Sequence, residues 1–166
     1  KEKKFNLKNY ARAVNKFKKK FRCNIIFEPG RTILGNAGIL VSKIQYLKKG
    51  KNKVFAILDA GMNDFMRPAL YNASHDIIPL LKNNNRSKFS IEFVGPICET
   101  TCKFIKYKNY QKLSENDYVA IINVGAYGST LSSNYNIKPL AAEIIIDKKK
   151  IKIIRKKQNL LKLINI

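Results

Sequence analysis

The feature that most constrains this fold is a change of texture at "EPG", residues 28–30. Before it the chain offers one helix and one strand; after it the chain reads as short strands punctuated by glycine. "FNLKNYARAVNKFKKKF", residues 5–21, has apolar residues at helical spacing and a lysine-rich opposite face, which predicts an amphipathic helix. "CNIIFEPG", residues 23–30, predicts a short buried strand ending at a Pro-Gly break. One α-then-β unit cannot cover both faces of its strand, so residues 1–29 read as the end of an α/β domain. Beyond them, "ILVSKIQYLKKGKNKVFAILDAG" predicts two strands turning at "KKGKN", and "RPALYNASHDIIPLL" (67–81) predicts one short helix. "KFSIEFVGPIC" (88–98) and "DYVAIINVGAYG" (117–128) predict strands ending in glycine turns. "AAEIIIDKKKIKIIRKK" (141–157) predicts a hairpin turning at its lysines, and "KNNNRSK" (82–88) a surface loop. Short strands at regular spacing with one helix predict a mainly β domain, a sandwich or barrel, over residues 30–166.

The net charge of +22 invites a nucleic-acid reading. Three features oppose it. The lysines run from "NKFKKKFR" near the start to "DKKKIKIIRKK" near the end, rather than gathering on one element. Arginine, the residue suited to bidentate phosphate and base contacts, is scarce. No nucleic-acid motif of known spacing occurs. A chain rich in Lys, Asn and Ile matches a bias toward AT-rich codons, so only weak, salt-sensitive sticking to RNA is expected. No apolar run reaches the roughly 18 residues of a membrane span, and no apolar segment of the kind found in secretory signals follows "KEKKFNLKNY". Three cysteines without framework spacing predict free thiols in a reducing, cytoplasmic compartment. Cys98 and Cys102 stand four apart, but with only Cys23 and His75 to complete a set they lack paired zinc spacing, so no metal is expected.

Five polar clusters fall at strand ends or turns, where scaffolds hold their chemistry. They are "EPGR" (28–31), "DAGMNDFMRPALY" (59–71), "GPICE" (95–99), "GAYG" (125–128) and "SSNYN" (132–136). Together with "FEPGRTILGNAGIL", "VGPICE", "VGAYGSTLSSNYN" and "AAEIIID", in this order, they make the chain resemble the C-terminal part of the diaminopimelate decarboxylases, from about residue 7 to 157. The resemblance implies a pyridoxal 5'-phosphate enzyme built from a TIM-like barrel followed by a β domain. It implies conversion of meso-diaminopimelate to L-lysine and CO2, in a homodimer with shared active sites. Residues 1–29 would then be the last α-β unit of that barrel.

The residue chemistry agrees with these implied roles. Pyridoxal phosphate is an electron sink when its pyridine nitrogen is protonated, and a nearby carboxylate keeps it so. Glu28, at the carboxyl end of the expected strand, suits this role. Gly30 allows close approach to an anion and Arg31 grips one; the resemblance puts both at the cofactor phosphate, with Arg31 also meeting the substrate. Arg67 and Tyr71, four apart on a helix, face the same way; by resemblance they bind a substrate carboxylate. His75, next on that face, is expected to pack rather than react. Loss of CO2 leaves an α-carbon that must be protonated, and a thiol nearby can do this. A free cysteine is usually a small buried hydrophobe, but Cys98 matches the family's proton donor and Glu99 its partner for the distal amino group. Tyr127 matches a cofactor and substrate contact; "SSNYN" supports the site without an assigned ligand.

Two departures stand out. The family's Schiff-base lysine lies upstream of Lys1, which would cut through the barrel. The chain alone is therefore expected to be inactive, as a fragment of a longer enzyme or the partner of a separate barrel chain. Cys102 stands where the family usually has an aspartate, which predicts weaker hydrogen bonding in the substrate loop. The alternative is a non-catalytic binding, regulatory or RNA-binding module derived from such a decarboxylase.

Overall fold

The computed structural model describes residues 5–81 and 87–164, so most of the expected 82–88 loop lies outside the described residues. Two compact units meet between Gly30 and Arg31. The first contains helix α1, Leu7–Phe21. Asn6 caps it by accepting the Asn9 N–H at 3.1 Å. Lys18, Lys19 and Lys20 lie in the last turn, where the helix dipole favours cations, and Arg22 ends it in the left-handed region. No residue of α1 is buried. The strand expected over 23–30 is not formed. A strand exists by pairing its backbone with a neighbour, and this segment has no ladder partner among the described residues. Ile26 is 92% exposed as a result.

The second unit opens with a one-turn helix α2 (Arg31–Leu34). Among the described residues eight strands follow: β1 (Ile39–Lys49), β2 (Val54–Leu58), β3 (Ile77–Pro79), β4 (Lys88–Val94), β5 (Lys103–Gln111), β6 (Tyr118–Ile122), β7 (Glu143–Asp147) and β8 (Lys150–Arg155). Helix α3 (Arg67–Tyr71) lies between β2 and β3, and α4 (Leu160–Ile164) follows β8. Six strands form one sheet in the order β3-β6-β1-β2-β4-β5, antiparallel except for β2 beside β4. Strand β1 serves both halves. Residues 39–43 pair with β6, and residues from Ile44 onward pair with β2. The register slips between Ile44 and Tyr46, a bulge of the kind that bends a strand around a corner.

The edge strands β3 and β5 are joined by side chains. Tyr107 accepts the Ile77 N–H at 2.9 Å and donates to Asp76 at 3.1 Å. Tyr110 donates to the Ile77 carbonyl at 2.8 Å. These phenols close the curl, and the sheet becomes a nearly closed barrel around Ile44, Leu58, Phe65, Ile91, Phe93 and Ile121. Burial pushes Tyr107 up to about 12 and raises Tyr110 as well, so both remain donors at neutral pH. Tyr110→Phe leaves a buried carbonyl without its donor. Such a loss costs about 1–3 kcal/mol, and the expected result is a lower urea midpoint at unchanged slope. An unmoved midpoint would show that the closure contributes nothing.

The mainly β class predicted from the strand spacing is the one observed. Three details differ. The helix predicted over 67–81 stops at Tyr71, because Asn72 enters the left-handed region and its N–H bonds back to the Arg67 carbonyl. Ile77–Pro79 then pairs with β6. Strand β5 has no counterpart in the sequence expectation, because its lysines mask the apolar face formed by Ile105, Tyr107 and Tyr110. The domain also carries short helices α2 and α4 beside the one expected helix. The hairpin β7–β8 is formed as predicted, turning between Asp147 and Lys150.

Candidate functional site

Residues 59–66, the loop from β2 to α3, are the hub of the site. Gly61 donates to Asp64 Oδ2 at 2.8 Å, and its carbonyl accepts the N–H groups of Asp64 and Phe65. A methyl group at Gly61 would meet Asn63 Oδ1 at 2.8 Å, so a larger residue there would displace the Asn63 side chain. Burial raises the Asp64 carboxyl above its ordinary value, and the Gly61 bond opposes that rise. From this loop the Met62 N–H reaches Cys102 Sγ at 3.4 Å. The Asn63 carbonyl accepts the Ser133 N–H at 2.8 Å. The loop then runs into α3 and presents Arg67.

Arg67 is 9% exposed. Its guanidinium carbon lies 5.4 Å from the Tyr71 ring centroid and 5.9 Å from that of Tyr127. The i, i+4 spacing thus brings Arg67 onto Tyr71 as predicted, and the fold adds Tyr127. Arg67 Nε is buried without an acceptor among the described residues. Tyr127 has φ 64°, a strained value for a non-glycine residue and of a kind that collects at functional sites. Its loop is anchored by Val124 N–H to the Gly38 carbonyl at 3.0 Å and Gly125 N–H to the Gly35 carbonyl at 3.1 Å. A methyl on Gly38 would meet the Gly125 nitrogen at 2.6 Å, so bare backbones must meet there. His75 packs as expected. Its ring meets Phe65 edge-on at 4.6 Å, its Nδ1–H donates to the Ile122 carbonyl at 3.1 Å, and burial lowers its affinity for a second proton.

Cys98 and Glu99 occupy the loop between β4 and β5, as the loop-tip reading expected. The loop is closed at its base by Gly95 N–H to the Cys102 carbonyl at 2.8 Å and by Cys102 N–H to the Glu99 carbonyl at 3.0 Å. Cys98 is exposed, whereas Cys102 is buried. Cys102 fills the role of a small packed group, and its sulfur accepts a bond longer than an oxygen would make. Tyr135 donates to Glu99 Oε1 at 2.5 Å. Arg31 lies exposed in α2, while Glu28 and Gly30 lie exposed in the first unit. Two groups of candidates are therefore assembled, Arg67–Tyr71–Tyr127 and Glu99–Tyr135 beside Cys98. The contacts of Tyr135 in "SSNYN" and of Met62 and Asn63 in "DAGMNDFMRPALY" carry no local sequence signal beyond their place at turns. A depression of about 360 Å³ beside Pro68, Asn72, Glu92 and Phe104 contains none of the expected site residues. Among the described residues, no helix is long and apolar enough to cross a membrane.

A nearly closed sheet barrel with a buried arginine between two tyrosines and an exposed Cys-Glu loop defines a class. Residues 13–125 match the pyridoxal-dependent decarboxylase C-terminal sheet domain, and the chain belongs to that family. Its similar proteins include diaminopimelate decarboxylases. That of Aquifex aeolicus (strain VF5) is 45% identical over 138 residues, 83% of this chain and 33% of the relative. The crystal structure of the Helicobacter pylori enzyme complexed with L-lysine matches with TM-score 0.88 and 39% identity, over 98% of this chain and 40% of that one. The M. jannaschii enzyme in co-complex with L-lysine matches with TM-score 0.91 and 32% identity, over 99% of this chain and 39% of that one. The chain thus spans 33% to 40% of the length of these relatives. The family resemblance read from the motifs is confirmed.

Proposed function

We propose that this chain is the C-terminal part of a cytoplasmic diaminopimelate decarboxylase that uses pyridoxal 5'-phosphate to convert meso-diaminopimelate to L-lysine and CO2. The observation that carries this reading is Arg67, a buried cation that lies beside two tyrosines and whose Nε–H has no acceptor among the described residues. A buried charge without full partners is costly, and an anionic group is what completes it. The arginine and the phenols of Tyr71 and Tyr127 suit a carboxylate or phosphate, so these residues fit both substrate and cofactor. When bound, the cofactor supplies an electron sink for the bond that loses CO2. Glu28 would hold the proton on its pyridine nitrogen, and Gly30, Arg31 and Tyr127 would face its phosphate. Arg31, Arg67 and Tyr71 would orient the substrate, with Tyr127 beside them. Cys98 would deliver a proton from Sγ to the α-carbon, and Glu99 would receive the distal ammonium. In this reading the enzyme is a homodimer in which Cys98 and Glu99 reach the neighbouring subunit's site. The barrel with the Schiff-base lysine belongs to the same polypeptide or to a separate chain.

The test is an assay of CO2 and L-lysine from meso-diaminopimelate, with the complete protein and with this chain alone, after intact mass has established which form the source contains. The complete protein loaded with cofactor is expected to form lysine, and the chain alone none. A complete protein that binds the cofactor yet forms no lysine would overturn the proposal. Salt-resistant RNA binding in its place would favour the alternative module, which the charge of +22 suggests.

A further inference from the structure

We propose that Tyr135 is a positioning residue: its phenol holds one oxygen of Glu99 so that the other is presented to an ammonium group of the ligand. The inference rests on the functional reading above. Its first support is geometric. Tyr135 O–H donates to Glu99 Oε1 at 2.5 Å across 36 residues of sequence. Among the described residues, Glu99 Oε2 has no hydrogen-bond partner.

The second support is what does not hold Glu99. Among the described residues Glu92 and Glu143 are paired with cations, Lys53 and Arg155. Among the described residues Glu99 has no such partner. It is fixed by a neutral donor instead. A phenol orients a carboxylate without cancelling its charge, and that charge stays available to an incoming cation. The Glu99 bond in turn raises Tyr135 above its ordinary value of 10, so the donor keeps its proton throughout the neutral range.

The third support is the backbone that aims the phenol. Asn136 and Ile137 follow Tyr135 with φ 56° and 55°. Two successive left-handed residues, one of them β-branched, persist only where surrounding structure imposes them. Here the segment is tied on both sides. The Ser133 N–H donates to the Asn63 carbonyl at 2.8 Å, and Asn134 Nδ2 donates to the Lys138 carbonyl at 2.8 Å and to Gln158 Oε1 at 2.6 Å. Lys138 Nζ donates to the Asp59 carbonyl at 3.0 Å. The same hub loop that leads to Arg67 therefore also sets Tyr135.

The test compares Tyr135→Phe, Glu99→Gln and the double variant in the complete, cofactor-loaded enzyme. Readouts are kcat and KM for meso-diaminopimelate, and inhibition by L-lysine and by 6-aminohexanoate, which lacks the ammonium beside the retained carboxylate. Tyr135→Phe is expected to raise KM and the lysine inhibition constant about tenfold, the scale of one hydrogen bond to a charged group. The change in kcat should stay within about twofold, because orientation of bound ligand rather than chemistry is lost. Inhibition by 6-aminohexanoate should be unchanged, which also confirms that the variant is folded. In the Glu99→Gln background, Tyr135→Phe should add nothing. If Glu99→Gln raises KM and Tyr135→Phe does not, this inference falls and the functional reading stands. If neither variant moves KM, the assignment of Glu99 falls and takes this inference with it. Equal weakening of lysine and 6-aminohexanoate would show a merely structural role and overturn the proposal.

Discussion

Cys98→Ala in the complete enzyme is expected to lower turnover about 10²- to 10⁴-fold, the range that one positioned proton donor contributes, while pyridoxal phosphate remains bound. The structure makes this a clean experiment. Cys98 is exposed, and the loop that carries it is held by other groups. Gly95 and Cys102 close its base through the backbone, and Met62 fastens it through Cys102 Sγ. Removing an exposed sulfur should therefore leave stability within about 0.5 kcal/mol of the parent, as for surface substitutions generally. Turnover, cofactor absorbance and thermal midpoint are measured together. A large fall in turnover with the other two unchanged places the loss in proton delivery. Full turnover would remove Cys98 from the mechanism. Cys102 is the built-in contrast: it is buried against Gly95, so its replacement acts on packing first.

Arg67→Lys is expected to lower kcat/KM for meso-diaminopimelate by about 10²-fold, mostly through KM. Truncating one partner of a close charge pair costs about 2–5 kcal/mol, and each 1.4 kcal/mol is about tenfold. Lysine retains the charge but not the planar fork or the stacking between Tyr71 and Tyr127, so it is not a conservative change here. Stability should not follow activity. Among the described residues the buried Arg67 Nε–H has no acceptor, so the fold does not depend on a bond from it. Wild-type KM in Arg67→Lys would sink this assignment. A fall in thermal midpoint as large as the fall in binding would instead make Arg67 a structural residue.

Most of the barrel was legible because its strands carry local signals. β1, β2, β4 and β6 are runs of apolar and β-branched residues broken by glycine, and β7–β8 is a hairpin with its turn at the lysines. β3 was hidden, because "HDIIP" extends the helical pattern of 67–71 although Asn72 has already ended the helix. β5 was hidden because alternate lysines disguise an edge strand whose tyrosines complete the barrel. The strand over 23–30 was over-read for the converse reason. Its apolar run needs a ladder, and the described residues offer none.

The site divides along the same line. Arg67 and Tyr71 were legible as a pair because helical spacing is a local rule, and Cys98 and Glu99 because they are neighbours. Sequence by itself therefore determined the mainly β class, the motif order and the chemical inventory of the site. Only the tertiary structure decided that Tyr127 joins Arg67, that Met62 holds Cys102, and that Tyr135 rather than a lysine holds Glu99. Each of these contacts joins loops far apart in the chain. Periodicity and propensity act over a few residues, whereas such contacts depend on how a bulged strand and two cross-linking phenols curl the sheet.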